Sequence, residues 1–230
     1  ALRKGVEYFR SKVSIRGGYL WRYAADFSER EGEIPASATT AWVQPPGTPS
    51  VGTAYLKVYE LTGDDFYLKA ARETALALVH GQLESGGWDY RIEFDPRDRA
   101  YHAYRTGDQQ FDEKSKQKTP RNTTTLDDDT TQAAVRFLMR VDRALGFQDE
   151  AIHECTLYAL QSLLDAQYPN GAWPQRFSAP PDPEKHPVKA AEYPTEWSRE
   201  FPKQDYRNYY TFNDNAIADM IDLMFQAAEV

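Results

Sequence analysis

Two acidic segments hold the residues of this chain best suited to chemistry. The first is Thr125-Leu126-Asp127-Asp128-Asp129-Thr130-Thr131 and the second is Thr211-Phe212-Asn213-Asp214-Asn215-Ala216. Each opens an apolar helical pattern. Carboxylates at a helix start have an ordinary use: an Asp or Thr side chain accepts from a free N–H group, and negative charge suits the positive end of the dipole. That use accounts for one or two of three successive Asp residues. Three adjacent carboxylates also repel one another unless they are exposed or compensated by a cation. Asp127, Asp128 and Asp214 are therefore candidate metal ligands, and Asp127 and Asn213 candidate substrate contacts. The donors are hard oxygens, of which calcium takes about six to eight. The spacing is not that of an EF-hand, so such a site would be assembled across the fold.

A repeat positions these segments. Gln82-Leu83-Glu84-Ser85-Gly86-Gly87-Trp88 and Gln167-Tyr168-Pro169-Asn170-Gly171-Ala172-Trp173 share a glutamine, three residues, a glycine, one residue and a tryptophan. A degenerate third copy is Arg16-Gly17-Gly18-Tyr19-Leu20-Trp21. Each complete copy closes an apolar helical stretch and is followed, one long loop later, by an acidic segment. Self-similarity of this kind marks repeated supersecondary units. Glycine lets the chain turn tightly, and the tryptophan pins the turn onto the core. Beyond the tryptophans the copies differ: Asp89-Tyr90-Arg91 in one, Pro174-Gln175-Arg176 in the other. Trp173, Gln175 and Arg176 are candidate substrate contacts, although Trp173 also suits the role of turn anchor. Lys203 and Arg207 flank the Asp214 segment. Such cations are ordinarily solvated surface charge; toward an anionic ligand, arginine forks carboxylates.

Apolar spacing predicts six helices, over residues 2–12, about 50–63, 65–82, 130–146, 149–166 and 213–228. The fold class is all-α. Three helical hairpins are expected to curve into an incomplete α/α toroid, with even-numbered helices inside and odd-numbered helices outside, all within one domain, 1–230. The polar connections 22–48, 89–126 and 175–212 exceed the ~12–15 residues of an unstructured link. Gathered at one end of the hairpins, they are expected to form a groove. Residues 107–121 suit a mobile flap, and the Pro-rich 179–194 an extended segment. The pattern stops at Glu229-Val230 without a partner for the sixth helix, so a toroid truncated on its C-terminal side is expected.

A chain of 230 residues suits one large domain. The net charge of −8 argues against a nucleic-acid partner. No apolar run reaches ~18 residues, so no membrane-spanning helix is expected. Residues 1–10 read as an amphipathic helix and not as a signal peptide. Cys155 falls in an apolar helical pattern, which suits core packing better than nucleophilic chemistry. The four histidines lack zinc-type spacing. The 5 Trp, 15 Tyr and 11 Phe residues suit sugar-stacking surfaces, though core packing also uses aromatics.

The order of these motifs resembles the pectate lyases of polysaccharide lyase family 10. That family reads, in order, a Gly-Gly-Trp-Pro turn, a Thr-Ile-Asp-Asn-Gly-Ala-Thr helix start followed by Arg-Tyr-Leu or Arg-Phe-Leu, a Gln-Tyr-Pro-Asn-Gly-Gly-Trp-Pro-Gln turn, and an Ile-Thr-Phe-Asn-Asp-Asp-Ala helix start. The matches here are Gly86-Gly87-Trp88, then Thr125 through Thr131 with Arg136-Phe137-Leu138, then Gln167 through Gln175, then Tyr210 through Ala216. They span 83–224, and the stretch before Leu83 departs most, as in a distant subgroup. The resemblance implies an α/α toroid that cleaves polygalacturonate with Ca2+, and it puts Asp127 and Asp214 at acidic groove positions. Asp128 stands where the family has Asn, and Asp129 where it has Gly, which makes this groove more acidic. Arg136 aligns with a structural helix position.

The implied reaction is β-elimination. Neutralising a uronate carboxylate acidifies the C5 proton, a base removes it, and the 4-linked sugar leaves. The family's base is an arginine with no match in this chain. It is expected after Val230, so the catalytic residue is unassigned and the chain alone is expected to lack it. An acidic groove holds an acidic polymer through bridging metal ions and local Arg or Lys. A polymeric substrate implies a secreted or periplasmic protein. The rival readings are a glycoside hydrolase with an Asp pair ~5–10 Å apart, a terpenoid cyclase and a non-catalytic fragment that binds sugar or metal. The cyclase repeat places four residues between Gln and Gly where this chain has three, and its acid motif needs an Asp where Leu126 stands.

Overall fold

The computed structural model describes residues 1–106, 119–182, 184–185, 187, 196, 206–209 and 212–229. Most of the flap segment, most of the Pro-rich segment and Lys203 lie outside the described residues. The architecture is mainly helical. The helices are α1 (Leu2–Tyr8), continued by a π-helical turn Phe9–Val13, α2 (Thr48–Thr62), α3 (Asp65–Gly81), the short α4 (Pro96–Arg99), α5 (Thr130–Ala144), α6 (Glu150–Asp165) and α7 (Ala216–Ala227). Among the described residues, none is long and apolar enough to cross a membrane.

The helix starts follow their sequence signals in α3 and α6. Asp64 accepts from the Phe66 N–H at 3.0 Å ahead of α3, and Asp149 from the Ile152 N–H at 3.3 Å ahead of α6. Helices α2, α5 and α7 pack in a row with α5 in the middle, and α3 and α6 pack on each other behind it. Gly52 of α2 admits the Phe137 ring of α5, which lies 2.2 Å from where a Cβ would stand. Val135, Leu138, Ile152, Cys155 and Leu163 fill the space between the layers. Cys155 is fully buried, and burial pushes its thiol pKa up, so it packs as a small apolar group.

The two Gln-to-Trp turns are the same object built twice. The glutamine amide donates to the glycine carbonyl at 2.8 Å in both, Gln82 to Gly86 and Gln167 to Gly171. The indole N–H reaches back ten residues to the preceding helix, Trp88 to the Leu78 carbonyl of α3 and Trp173 to the Leu163 carbonyl of α6, at 2.8 Å each. Gly86 and Gly171 take φ of +104° and +86°, a region where L side chains are strained. Their surroundings differ. A Cβ on Gly86 would meet the Ser162 side chain at 2.1 Å, whereas on Gly171 the nearest atom is 3.9 Å away. Gly86→Ala is therefore expected to destabilise by about 2–4 kcal/mol, strain plus overpacking, and Gly171→Ala by about 1–2 kcal/mol, strain alone. Calorimetric melting of the two variants checks this; equal losses would remove the packing component.

The long connections are tied by three two-stranded antiparallel ladders that periodicity could not announce. They are β1 (Arg22–Tyr23) with β2 (Arg30–Glu31), β3 (Thr40–Trp42) with β4 (Arg91–Glu93), and β5 (Thr124–Thr125) with β6 (Arg176–Phe177). In the last two ladders, a strand leading into a helix of the α2–α5–α7 row pairs with the strand that follows the next Trp turn. The register sets Trp42 opposite Arg91 and Thr125 opposite Arg176. These ladders bring the acidic segments and the post-turn residues together.

Candidate functional site

Asp127–Asp129 form one 3-10 turn ahead of α5. The N-cap residue of α5, Asp129, makes no side-chain capping bond, and neither does Asn215 at α7. The cause is backbone geometry. Asp128 and Asp129 have φ of 51° and 57°, and Asp214 and Asn215 have 48° and 57°. An N-cap that bonds its helix holds an extended backbone; a left-handed pair turns the side chains aside. Asp and Asn are the non-glycine residues that tolerate this conformation best.

The three adjacent carboxylates consequently part company. Asp127 accepts from the Tyr90 hydroxyl at 2.9 Å and the Arg176 guanidinium at 3.3 Å through Oδ2, and from the Gln175 amide at 2.8 Å through Oδ1. Asp128 accepts from the Gln44 amide at 2.9 Å. Asp129 turns to an ion pair with Arg136, further along α5. Two arginines thus compensate the crowding of charge within the segment. The Gln175 amide also approaches Asp214 Oδ2 at 3.4 Å, so one side chain joins Asp127 and Asp214. Gln175 is 2% exposed. The backbone fixes its place, because Leu126 N–H donates to the Gln175 carbonyl at 2.8 Å.

Tyr90 links the cation to the acid. Arg176 donates to its hydroxyl oxygen at 2.9 Å, with the guanidinium 5.4 Å from the ring centroid. Burial, then the bond to Asp127, push the Tyr90 pKa up to about 12. It therefore stays protonated at neutral pH and donates to Asp127. Burial holds the Asp128 carboxyl above the usual carboxylate range, and the charges of Asp127, Asp214 and Glu33 add to this. Burial also raises Asp129, against the opposing pull of Arg136.

The other residues singled out from sequence fall elsewhere. Trp173 is 5% exposed with its N–H committed to α6, so its ring packs in the core and does not line a surface. Asn213 is half-buried, and its carbonyl accepts from Ala216 N–H at 3.1 Å. Arg207 lies in the 3-10 turn Tyr206–Asn208, which packs against β6. Two members of the network, Tyr90 and Gln44, were not among the expected site residues. The signal for Tyr90 was its position: it follows Trp88 by two residues, as Gln175 follows Trp173.

Among the described residues, no three His, Cys, Asp or Glu side chains stand close enough to hold a metal ion by themselves. Asp127 already accepts three bonds. Asp128 and Asp214 each keep oxygen capacity beyond the single amide contact described above. The buried Gln175 Oε1 and Arg176 Nε have no hydrogen-bond partner among the described residues. The donor set is hard oxygen throughout, and its mutual repulsion is what a divalent cation relieves, so the residues suit calcium by chemistry.

The pectic acid lyase family model matches residues 96–230. No curated protein matches the chain. Among solved structures, the chain is similar to a family 10 polysaccharide lyase from Cellvibrio cellulosa at 14% identity and a TM-score of 0.47, covering 76% of this chain and 51% of that one. A mutant of that lyase in complex with trigalacturonic acid gives the same values. A sugar epimerase from a ruminal bacterium shows 12% identity and a TM-score of 0.46, over 77% of this chain and 40% of that one. The chain thus spans about half the length of the lyase structures it matches. The family match covers more than half of the chain and takes in Asp127, Asp128, Gln175, Arg176 and Asp214, so the chain belongs to the pectic acid lyase family.

Proposed function

We propose that this chain carries the acidic part of a polysaccharide lyase site that acts on pectate or polygalacturonate by calcium-assisted β-elimination. The observation that carries the reading is the junction of Asp127 and Asp214, from successive repeats, through the single buried amide of Gln175, with Arg176 beside it. Family membership supports an anionic polysaccharide as the partner.

Asp128 and Asp214, with Asp127 behind them, would hold the calcium ion. When bound, calcium supplies positive charge that draws electron density from a uronate carboxylate and acidifies its C5 proton. The protein's own residues prepare for this. Tyr90 and Gln175 orient Asp127 by donating to different oxygens. Arg176 keeps positive charge at the edge of an acidic surface, where a uronate carboxylate would otherwise be repelled. In this reading the α2–α5–α7 row, backed by α3 and α6, is an arc of an α/α toroid, and the ladders floor its groove. A polymeric substrate places the protein outside the cytoplasm, secreted or periplasmic.

The test is ultraviolet absorbance of the unsaturated product during incubation with polygalacturonate, with calcium added and after chelation. In a version extended past Val230, absorbance growth that requires calcium and disappears in Asp214→Ala is expected. Reducing ends released without an unsaturated product would sink elimination in favour of hydrolysis by an Asp pair.

A further inference from the structure

The hydroxyl of Thr131 contacts both backbone groups of the turn aromatic Trp88, its N–H at 3.2 Å and its carbonyl at 3.4 Å. The hydroxyl of Thr48 does the same to Tyr19, at 3.0 and 3.1 Å. These matched contacts align the first repeat with the second residue by residue. Asp127 stands four residues before Thr131, and Gln44 stands four before Thr48. Tyr90 stands two after Trp88, and Trp21 two after Tyr19. The bonds link the same positions: Tyr90 donates to the Asp127 side chain, and the Trp21 indole donates to the backbone carbonyl of Gln44 at 2.9 Å. Gln44 is therefore the first-repeat counterpart of Asp127, with an amide in place of the carboxylate.

We propose that Gln44 is a positioning residue for the acidic site, its amide locked by the Trp42 indole so that it holds the Asp128 carboxylate on the side of Asp127 and Asp214. Gln44 is 7% exposed. Its Oε1 accepts from the Trp42 Nε1–H at 3.0 Å, and its Nε2 donates to Asp128 Oδ2 at 2.9 Å. An indole N–H can only donate, so the amide cannot turn over without losing that bond. The NH2 end is thereby committed to Asp128. Trp42 is itself buried and packs edge-on against Trp21 at 6.1 Å between centroids, which fixes the donor. A neutral donor holds the carboxylate without cancelling its charge. Lysine or arginine here would compete with a divalent cation, and a carboxylate like that of Asp127 would repel Asp128. Among the described residues, Gln44 is the side chain that donates to Asp128.

The inference rests on the proposed cation-assisted function, and two readouts separate them. Gln44→Met keeps side-chain length and removes the donor. Gln44→Asn keeps an amide too short to span Trp42 and Asp128, and it serves if the methionine variant folds poorly. Calcium binding by isothermal titration is expected to weaken about tenfold in either variant, as for outer partners of metal ligands. In an Asp128→Asn background the same substitution is expected to add nothing. The carboxyl-carbon NMR signal of Asp128 is expected to move in the variants without any ligand, while that of the remote Asp149 stays in place. If the unaltered protein binds no calcium, the cation reading of the function falls, and the Asp128 signal still judges Gln44. An unmoved Asp128 signal, or an undiminished effect in the Asp128→Asn background, would overturn the role of Gln44.

Discussion

In the proposed lyase, extended past Val230, Asp127→Asn is expected to lower turnover of polygalacturonate by about 100- to 1000-fold, the scale seen when one preorganised electrostatic group is removed from an active site. The substitution preserves shape and changes two things. It deletes the charge that balances Arg176, which is only 18% exposed on its side chain. It also replaces one of two acceptor oxygens with a donor NH2, so either Gln175 or the Tyr90–Arg176 pair loses its partner. A buried donor left unpaired costs about 1–3 kcal/mol, and the melting temperature should fall with it. Initial rates of unsaturated-product formation, with calorimetric binding of trigalacturonate alongside, provide the check. Activity within a few-fold of the unaltered protein would show that Asp127 only scaffolds the turn.

The largest loss of stability is expected from Trp88→Ala. Trp88 is fully buried, and its backbone is clasped by Thr131 while its indole N–H reaches Leu78. Truncation leaves a cavity the size of an indole, where the flanking helix and ladder cannot both close in, at a cost of about 3–5 kcal/mol. For a chain of this size that corresponds to a fall in Tm of roughly 10 °C or more. Trp88→Phe fills most of the space and forfeits one hydrogen bond, about 1 kcal/mol. Thermal melts of the two variants decide between the explanations. Equal falls would mean that the hydrogen bond, and not the ring's volume, anchors the turn.

The helices were legible because their signals are local. Asp64 and Asp149 cap as such residues do, apolar residues recur at helical spacing, and the Gln-to-Trp turns announce their own repetition. The acidic segments were legible as clustered carboxylates but not as geometry. Nothing in three successive Asp residues reveals that two of them adopt a left-handed backbone, which turns capping residues into divergent ones. The ladders were invisible because strands of two or three residues carry no period. Gln44 was missed for a related reason. Its kinship with Asp127 is written in the contacts of Thr48 and Thr131 with the turn aromatics, not in any shared residue type. Trp173 shows the opposite error, an aromatic near the site whose ring the core had already claimed.

The division of labour within each repeat also bears on how such a protein changes over time. In the two complete copies the turn is fastened to the preceding helix by its tryptophan, while the residue two places further on, Tyr90 or Gln175, donates to Asp127. That place is occupied by Trp21, Tyr90 and Gln175 in the three copies. Three unlike side chains at one place of a repeated scaffold mean that this place can change type while the turn keeps its form. Drift at those places can alter what the acids meet while the helical frame stays the same.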